Sequence, residues 1–400
     1  MRTLHIANRN EAIKAAVDIY VEPLVTETAR LEDPPNFWFV VIPEEVYELG
    51  RPQSRISARD RVEGHVRMTK AQAKRFSTEP TLFPSDKDEA DVYQYATHFR
   101  RQLKARLLEH KIVTQIVRET TLSPFDFLNS RGFPKRRIED PATVAWKLTT
   151  SAYYKDGGKP WQLANVRPGV CYVGLAYKRL DPTGDDGFAC CAAQMFLASG
   201  EGVVFRGALG PWFRADSKQF HLDTSAAKSL LAVVIREYRD KHGGNPPTQL
   251  FIHARSSFHD EEWNGFLASA PAETNVIGVQ IADARDDLKL FRPAKYPVLR
   301  GTALIYQDNE AYLWTSGYVP RLDTYIGPET PNPLLVRVQR GICRLEDVLS
   351  DVMGLTKINF NSCLHNDRLP VTIRFADAVG DLILAAPQTG EPKLPFKFYV

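Results

Sequence analysis

What this chain lacks narrows its chemistry first. Its five cysteines, Cys171, Cys190, Cys191, Cys343 and Cys363, are odd in number and no pair has metal-ligand spacing. That excludes a disulfide framework and a zinc cage, and it suits reduced thiols in a cytosolic protein. No apolar run approaches the roughly 18 residues of a membrane span, and the N-terminal MRTLHIANRNEA has no apolar signal core. No internal repeat, low-complexity tract, CxxC, HExxH or EF-hand pattern occurs. Gly157-Gly158-Lys159-Pro160-Trp161 looks superficially like a phosphate loop, but the Walker spacing is missing. The net charge of +3 is too mild to establish nucleic-acid binding by itself. These absences point to a cytoplasmic protein with no membrane attachment.

What is present is ordinary in bulk and uneven in distribution. With 400 residues, 44% hydrophobic and 25% charged, two globular domains are the natural expectation. Positive charge gathers between residues 98 and 155. Residues 10–30 carry an apolar stripe of Ala12, Ala15, Val17, Ile19, Tyr20 and Leu24, which predicts a helix. Phe37-Trp38-Phe39-Val40-Val41-Ile42 is a continuous apolar run, as in a parallel strand buried on both faces. Residues 51–89 are polar and weakly periodic, a long and mobile excursion. A helix over 91–110, a strand over 112–117 and a helix over 141–155 complete a Rossmann-like α/β unit.

The pattern changes at Pro168-Gly169. Strands are predicted at 170–177, 188–197 and 203–208, then a helix at 224–241, a strand at 249–254, a helix at 259–267 and a strand at 275–282. That βββαβαβ order is the ribonuclease H topology. Further strands at 302–306, 311–315 and 334–339 follow, with helical stretches at 346–353 and 369–385. The fold class is therefore α/β, with domains at 1–165 and 166–400.

The stretch 95–120 organises the first domain. Leu103, Leu107 and Leu108 form one helix face, and Arg100, Arg101, Lys104 and Arg106 the other. Arg100 and Lys104 are four apart, hence side by side. Lys155 falls in the last turn of the next helix, before the stop signal Asp156-Gly157-Gly158. If these elements pack, Arg100, Lys104, Gln115 and Lys155 could converge on one anion, such as a terminal phosphate. A solvated basic face plus an ordinary basic helix C-terminus explains the same spacing, and on spacing alone that plainer reading is preferred.

In the second domain, a ribonuclease H-like nuclease would need carboxylates from different strands to hold two Mg²⁺ ions. The first strand, Val173-Gly174-Leu175-Ala176-Tyr177-Lys178, has no acid, and neither has Phe251-Ile252-His253-Ala254-Arg255-Ser256. Asp260, Glu261 and Glu262 read as the acidic first turn of a helix. His253 could be a base or ligand, but without a nucleophile beside it a satisfied strand-end histidine is the simpler reading.

Four separated pieces carry a resemblance. HFRRQLKARLL with TQIVRETTL, then SAYYKDGGKPWQL, then PGVCYVGLAYK, then LTKINFNSCLHNDRLPVTIRFADAVGDLIL stand in one order over roughly residues 10–400. Together they resemble the MID and PIWI halves of a short prokaryotic Argonaute. The resemblance implies a Rossmann-like MID domain followed by a ribonuclease H-like PIWI domain. It implies a guide 5′-phosphate pocket made of Arg100, Lys104, Gln115, Lys155 and the C-terminal carboxylate of Val400, which would also hold Mg²⁺. Arg100 stands where the family has an aromatic or His, which puts base stacking there in doubt. The catalytic Asp positions fall on Ala176 and Arg255, and the final one near Lys357 or Asn359, so no target cleavage is expected. With no room for PAZ, the chain would work with a partner carrying an N/PAZ-like portion and an effector, TIR, sirtuin-like or nuclease. It would bind a 5′-phosphorylated guide RNA and complementary single-stranded invader DNA as a heterodimer in antiviral or anti-plasmid defence. Arg340, Arg374, Lys357, Lys295 and Arg300 could line a basic channel or be plain surface charges. Two alternatives stand beside this reading. One is an active nuclease using Asp181, Asp185, Asp186 and Asp260; the other is a scaffold that binds protein alone.

Overall fold

The computed structural model describes residues 2–76, 83–163, 167–179, 189–197, 202–284, 288–325, 327, 329–359, 367–387 and 393–400. The chain forms two compact units. One comprises residues 1–158, 381–391 and 397–400; the other comprises 159–380 and 392–396. The expected division at 165/166 gave the whole C-terminal stretch to the second domain, whereas segments 381–391 and 397–400 pack into the first unit.

The first unit contains α1 (Arg9–Arg30), β1 (Trp38–Ile42), α2 (Glu44–Leu49), α3 (Lys70–Phe76), α4 (Pro84–Asp91), α5 (Phe99–Leu108), β2 (Thr114–Arg118), α6 (Glu119–Leu122) and α7 (Pro141–Lys155). Strands β1 and β2 pair in parallel, with Trp38 opposite Thr114 and Ile42 opposite Arg118. Helix α1 starts where the Asn8 side chain accepts from the Asn10 and Glu11 amides. Ile13, Val17, Val40, Ile42, Leu103 and Leu107 form the heart of this unit's core. That core covers one face of β1 only: Val40 and Ile42 are buried, while Phe39 and Val41 are exposed. The strand alternates, contrary to the expectation of burial on both faces.

Two further expectations shift. The predicted 91–110 helix is divided, with α5 beginning at Phe99. Tyr95 and His98 are extended. Carbonyls between them take tertiary partners instead of helical ones: Asn10 donates to Tyr95 O at 3.3 Å and Gln102 to Ala96 O at 3.1 Å. Lys111, with φ of 53°, then turns the chain, so β2 begins at Thr114 rather than 112. The 51–89 excursion is partly pinned. The buried Glu11 carboxylate accepts from the His65 and Val66 amides at 2.7 and 3.1 Å, and α3 and α4 form within the segment.

The second unit contains β3 (Val170–Arg179), β4 (Ala189–Phe196), β5 (Gly202–Gly210), the small hairpin β6 (Phe213–Arg214) and β7 (Gln219–Phe220), α8 (Thr224–Lys241), β8 (Gln249–Ala254), α9 (Asp260–Ser269), β9 (Asn275–Asp283), β10 (Ala303–Gln307), β11 (Glu310–Leu313), β12 (Leu334–Arg340), α10 (Leu345–Leu355), most of α11 (Val371–Ile383) and β13 (Lys393–Pro395). Nine strands form one sheet in the order β10-β11-β12-β9-β8-β3-β4-β5-β13. Strands β3, β4 and β5 run antiparallel, and β8 and β9 join parallel to β3. That is the ribonuclease H arrangement read from the sequence. Asp223 caps α8 by accepting from the Ala226 amide at 2.7 Å. Among the described residues no helix is long and apolar enough to cross a membrane.

Gly174 lets α11 approach the centre of this sheet. A Cβ there would run into the Thr372 carbonyl. Gly174→Ala should therefore destabilise the protein by about 1–3 kcal/mol through overpacking, read as a lower midpoint in urea unfolding. An unchanged midpoint would show that α11 yields freely.

Candidate functional site

Two lysines from different helices meet at the start of one strand. Helix α7 is fixed at its beginning by Asp140, which accepts from the Thr143 amide at 3.0 Å, and by Pro141 in its first turn. It ends at Gly157, whose φ of 108° suits glycine. Lys155 in that last turn is 1% exposed, and Lys104 on α5 is 3% exposed. Their ammonium groups donate to the same two oxygens. Lys155 Nζ lies 2.8 Å and Lys104 Nζ 3.1 Å from the Thr114 carbonyl, and both bond the backbone oxygen of Val400. Among the described residues no acidic side chain pairs with either.

Burial lowers the Lys104 pKa well below its ordinary value, and repulsion from Lys155 and Arg100 adds to this. Lys155 is lowered to about 7, first by burial and then by Arg100, against the contact with Lys104. The pair is a concentrated positive site that lacks a full counter-charge. Arg100 acts on both lysines, so it lies beside them. Its own pKa is lowered, chiefly by desolvation and then by Arg101, although its surface is exposed.

The structure thus brings Lys104, Lys155 and Val400 together, with Arg100 adjacent. Gln115 does not join them. It follows Thr114 in β2, where successive side chains point to opposite faces, and its amide donates to Ile116 O at 3.3 Å. Two neighbours were missed from sequence. His98 precedes α5; its pKa is lowered to about 4 by burial and then by Arg101 and Arg100. Its Nδ1 has no hydrogen-bond partner among the described residues. Lys397 donates to Lys155 O at 3.3 Å. The only sequence signal for His98 was its place before Arg100-Arg101; for Lys397 it was the aromatic tail, whose docking point no spacing reveals.

The expected Mg²⁺ meets a poor donor set here. Its proposed ligand, Val400, already accepts from two lysine ammonium groups, and among the described residues no carboxylate side chain joins it. A divalent ion prefers several hard oxygen ligands, and two adjacent ammonium groups would repel it. The residues present do not fit a metal; side-chain cations occupy its electrostatic place.

In the second unit, Ala176 and Arg255 lie at one level. Gly174 pairs with His253 across β3 and β8, and each position lies two residues beyond that pair. Arg255 pairs with Asp283 at the end of β9, and Arg368 approaches the same carboxylate at 2.9 Å. Asn359 bonds Asp367, which Arg374 also engages. Asp260 sits in the first turn of α9, paired with Arg340. Arg300 is held by Thr315 O and Thr356 Oγ1, at 2.7 and 2.8 Å, while Lys357 and Lys295 are exposed. Asp181, Asp185 and Asp186 lie outside the described residues. Among those described, no three His, Cys, Asp or Glu side chains gather as a metal site. His253 is fully buried, and its Nδ1 pairs with Thr372 Oγ1 at 2.9 Å. Its Nε2 has no partner among the described residues, so it is only half satisfied. Burial lowers its pKa to about 3, which keeps the ring neutral.

By sequence, no family model and no curated protein matches the chain. By structure it is similar to Argonautes, and the fold is the mixed α/β architecture of their MID and PIWI domains. Aa-Ago, solved with externally bound siRNA, superposes with a TM-score of 0.55 at 16% identity, over 99% of this chain and 44% of that one. The Clostridium butyricum Argonaute bound to a guide DNA and a 19-mer target DNA gives 0.54 at 16% identity, over 92% and 50%. Aquifex aeolicus Argonaute gives 0.52 at 18% identity, over 74% and 38%. The chain spans half or less of the length of each.

The charge of Lys155 should tell on stability. Its folded pKa of about 7 lies below the 10.5 of a free lysine, so the unfolded chain binds more protons between those values. Stability therefore rises as pH climbs through that window, and the cost of the buried charge is full below it. Lys155→Met should raise the melting temperature more at pH 6 than at pH 9.5, in phosphate-free buffer. An effect equal at both pH values would contradict a buried titrating ammonium.

Proposed function

We propose that this chain is a guide-binding, non-cleaving Argonaute-like subunit whose first unit holds the 5′-phosphate of a small RNA. The observation that carries the reading is the pair of buried ammonium groups of Lys104 and Lys155, aimed at one point with no acidic side chain to neutralise them. A phosphate brings the missing charge and several acceptor oxygens. Arg100 then serves as a third cation at the mouth, and Gln115 lies at the strand end without being required. The pocket works through side-chain cations and not through a divalent ion.

The guide pairs with complementary single-stranded invader DNA, and base pairing supplies the sequence specificity. The second unit keeps the ribonuclease H frame and recognises the duplex without cutting it. Ala176 cannot ligate a metal and Arg255 would repel one. A second protein with an N/PAZ-like portion and an effector, NAD-consuming TIR or sirtuin-like, completes a cytoplasmic heterodimer that acts in defence against invading DNA.

Filter binding with matched 5′-phosphate and 5′-hydroxyl RNAs tests the pocket. The phosphorylated strand should bind tighter, and Lys104→Ala with Lys155→Ala should remove at least about ten-fold of that preference, since hydrogen bonds to charged groups are worth about 1.5–3 kcal/mol. The preference should survive EDTA. Equal affinity for the two ends would refute the pocket. Guide-directed cleavage of a matched DNA in Mg²⁺, lost in Asp260→Ala, would refute the non-cleaving assignment.

A further inference from the structure

Residues 288–307, LKLFRPAKYPVLRGTALIYQ, contain four basic side chains and no acidic one. Within them lies a layered group that the 5′-phosphate reading leaves unused. The rings of Tyr296 and Tyr318 stack with centroids 4.6 Å apart and an interplanar angle of 7°. Arg292 lies over Tyr318 at 4.9 Å, and Lys295 over Tyr296 at 5.0 Å. The stack is held from below: both hydroxyls reach Asp323, Tyr296 to its backbone oxygen at 3.1 Å and Tyr318 to its carboxylate at 3.0 Å. Arg292 Nε donates to Tyr296 O at 3.0 Å, which fixes the guanidinium in place. Among the described residues Asp323 is the acid that the group's hydrogen bonds reach, and the Tyr318 hydroxyl engages it. Phe291, next to Arg292 in the chain, is 73% exposed and so presents a free ring to solvent.

We infer that Phe291, Arg292, Lys295 and the Tyr296–Tyr318 stack form a stacking platform for unpaired bases of a single-stranded nucleic acid. Every base has a π-face, so an exposed ring beside fixed cations binds single strands with little regard to sequence. Phe291 takes a base, the outer face of the Arg292 guanidinium takes its neighbour, and Lys295 meets the intervening phosphate. The ligand is a flexible strand, because a base within a duplex presents no free face. The inference takes its ligand class from the nucleic-acid reading but uses no residue of the lysine site.

The test is fluorescence anisotropy with a labelled 5′-hydroxyl oligothymidine, which offers bases and backbone but no terminal phosphate. Phe291→Ala should weaken binding by at least about five-fold, on the scale of one lost stacking contact. Phe291→Trp should restore it. On an abasic strand of equal length Phe291→Ala should change nothing, while Lys295→Ala should weaken binding to both strands. Unchanged affinity in Phe291→Ala, or an equal loss on the abasic strand, would overturn the platform. If Lys104→Ala with Lys155→Ala leaves this affinity intact, the platform acts apart from the lysine site. Loss of the 5′-phosphate preference with the Phe291 effect intact would sink only the lysine-site reading.

Discussion

Two buried lysines with no acidic side chain beside them among the described residues constrain this molecule more than any other feature. A lysine removed from water needs a counter-charge or it gives up its proton. Lys104 and Lys155 share only the Thr114 carbonyl and the Val400 oxygen. The Thr114 carbonyl brings no formal charge, and a carboxylate at Val400 would bring one negative charge for two lysines. The arrangement needs α5, β2, α7 and the 397–400 segment together; on the proposed reading an entering anion supplies the rest of the counter-charge.

The second unit shows the opposite balance. Its sheet keeps the strand order of a nuclease fold, yet acids at the end of β9, before α11 and within α11 are matched by cations. Asp283 faces Arg255 and Arg368, Asp367 faces Arg374, and Asp377 faces Lys178 at 2.8 Å. Carboxylates so paired are poor candidates for gathering divalent ions. The proposed division of labour follows: one unit is short of negative charge and holds a strand end, while the other offers shape and basic surface.

Much of the fold was legible because periodicity is local. The limits of α7 and α8 and the βββαβαβ order all follow from patterns within single elements. What failed was set by distant contacts. No spacing reveals that Asn10 and Gln102 take carbonyls from the 94–98 segment and so shorten α5, or that Glu11 pins the 65–66 backbone. The exposed face of β1 was misread because an apolar run cannot say how many strands will cover it. Spacing made Lys104 and Lys155 candidates, but only the resemblance favoured their convergence, since basic side chains on two separate helices have no local reason to meet. Gln115 was expected beside them, and its side-chain amide donates to the neighbouring Ile116 carbonyl instead.

The central claim is that an anion belongs between Lys104 and Lys155. A crystal structure with a nucleoside 5′-monophosphate at near-neutral pH tests it directly. The account predicts a phosphate oxygen within hydrogen-bond reach of both Nζ atoms, with Arg100 turned toward it and the Val400 oxygen released from at least one lysine. Phosphate bound elsewhere, with both ammonium groups still closed on Val400, would contradict it.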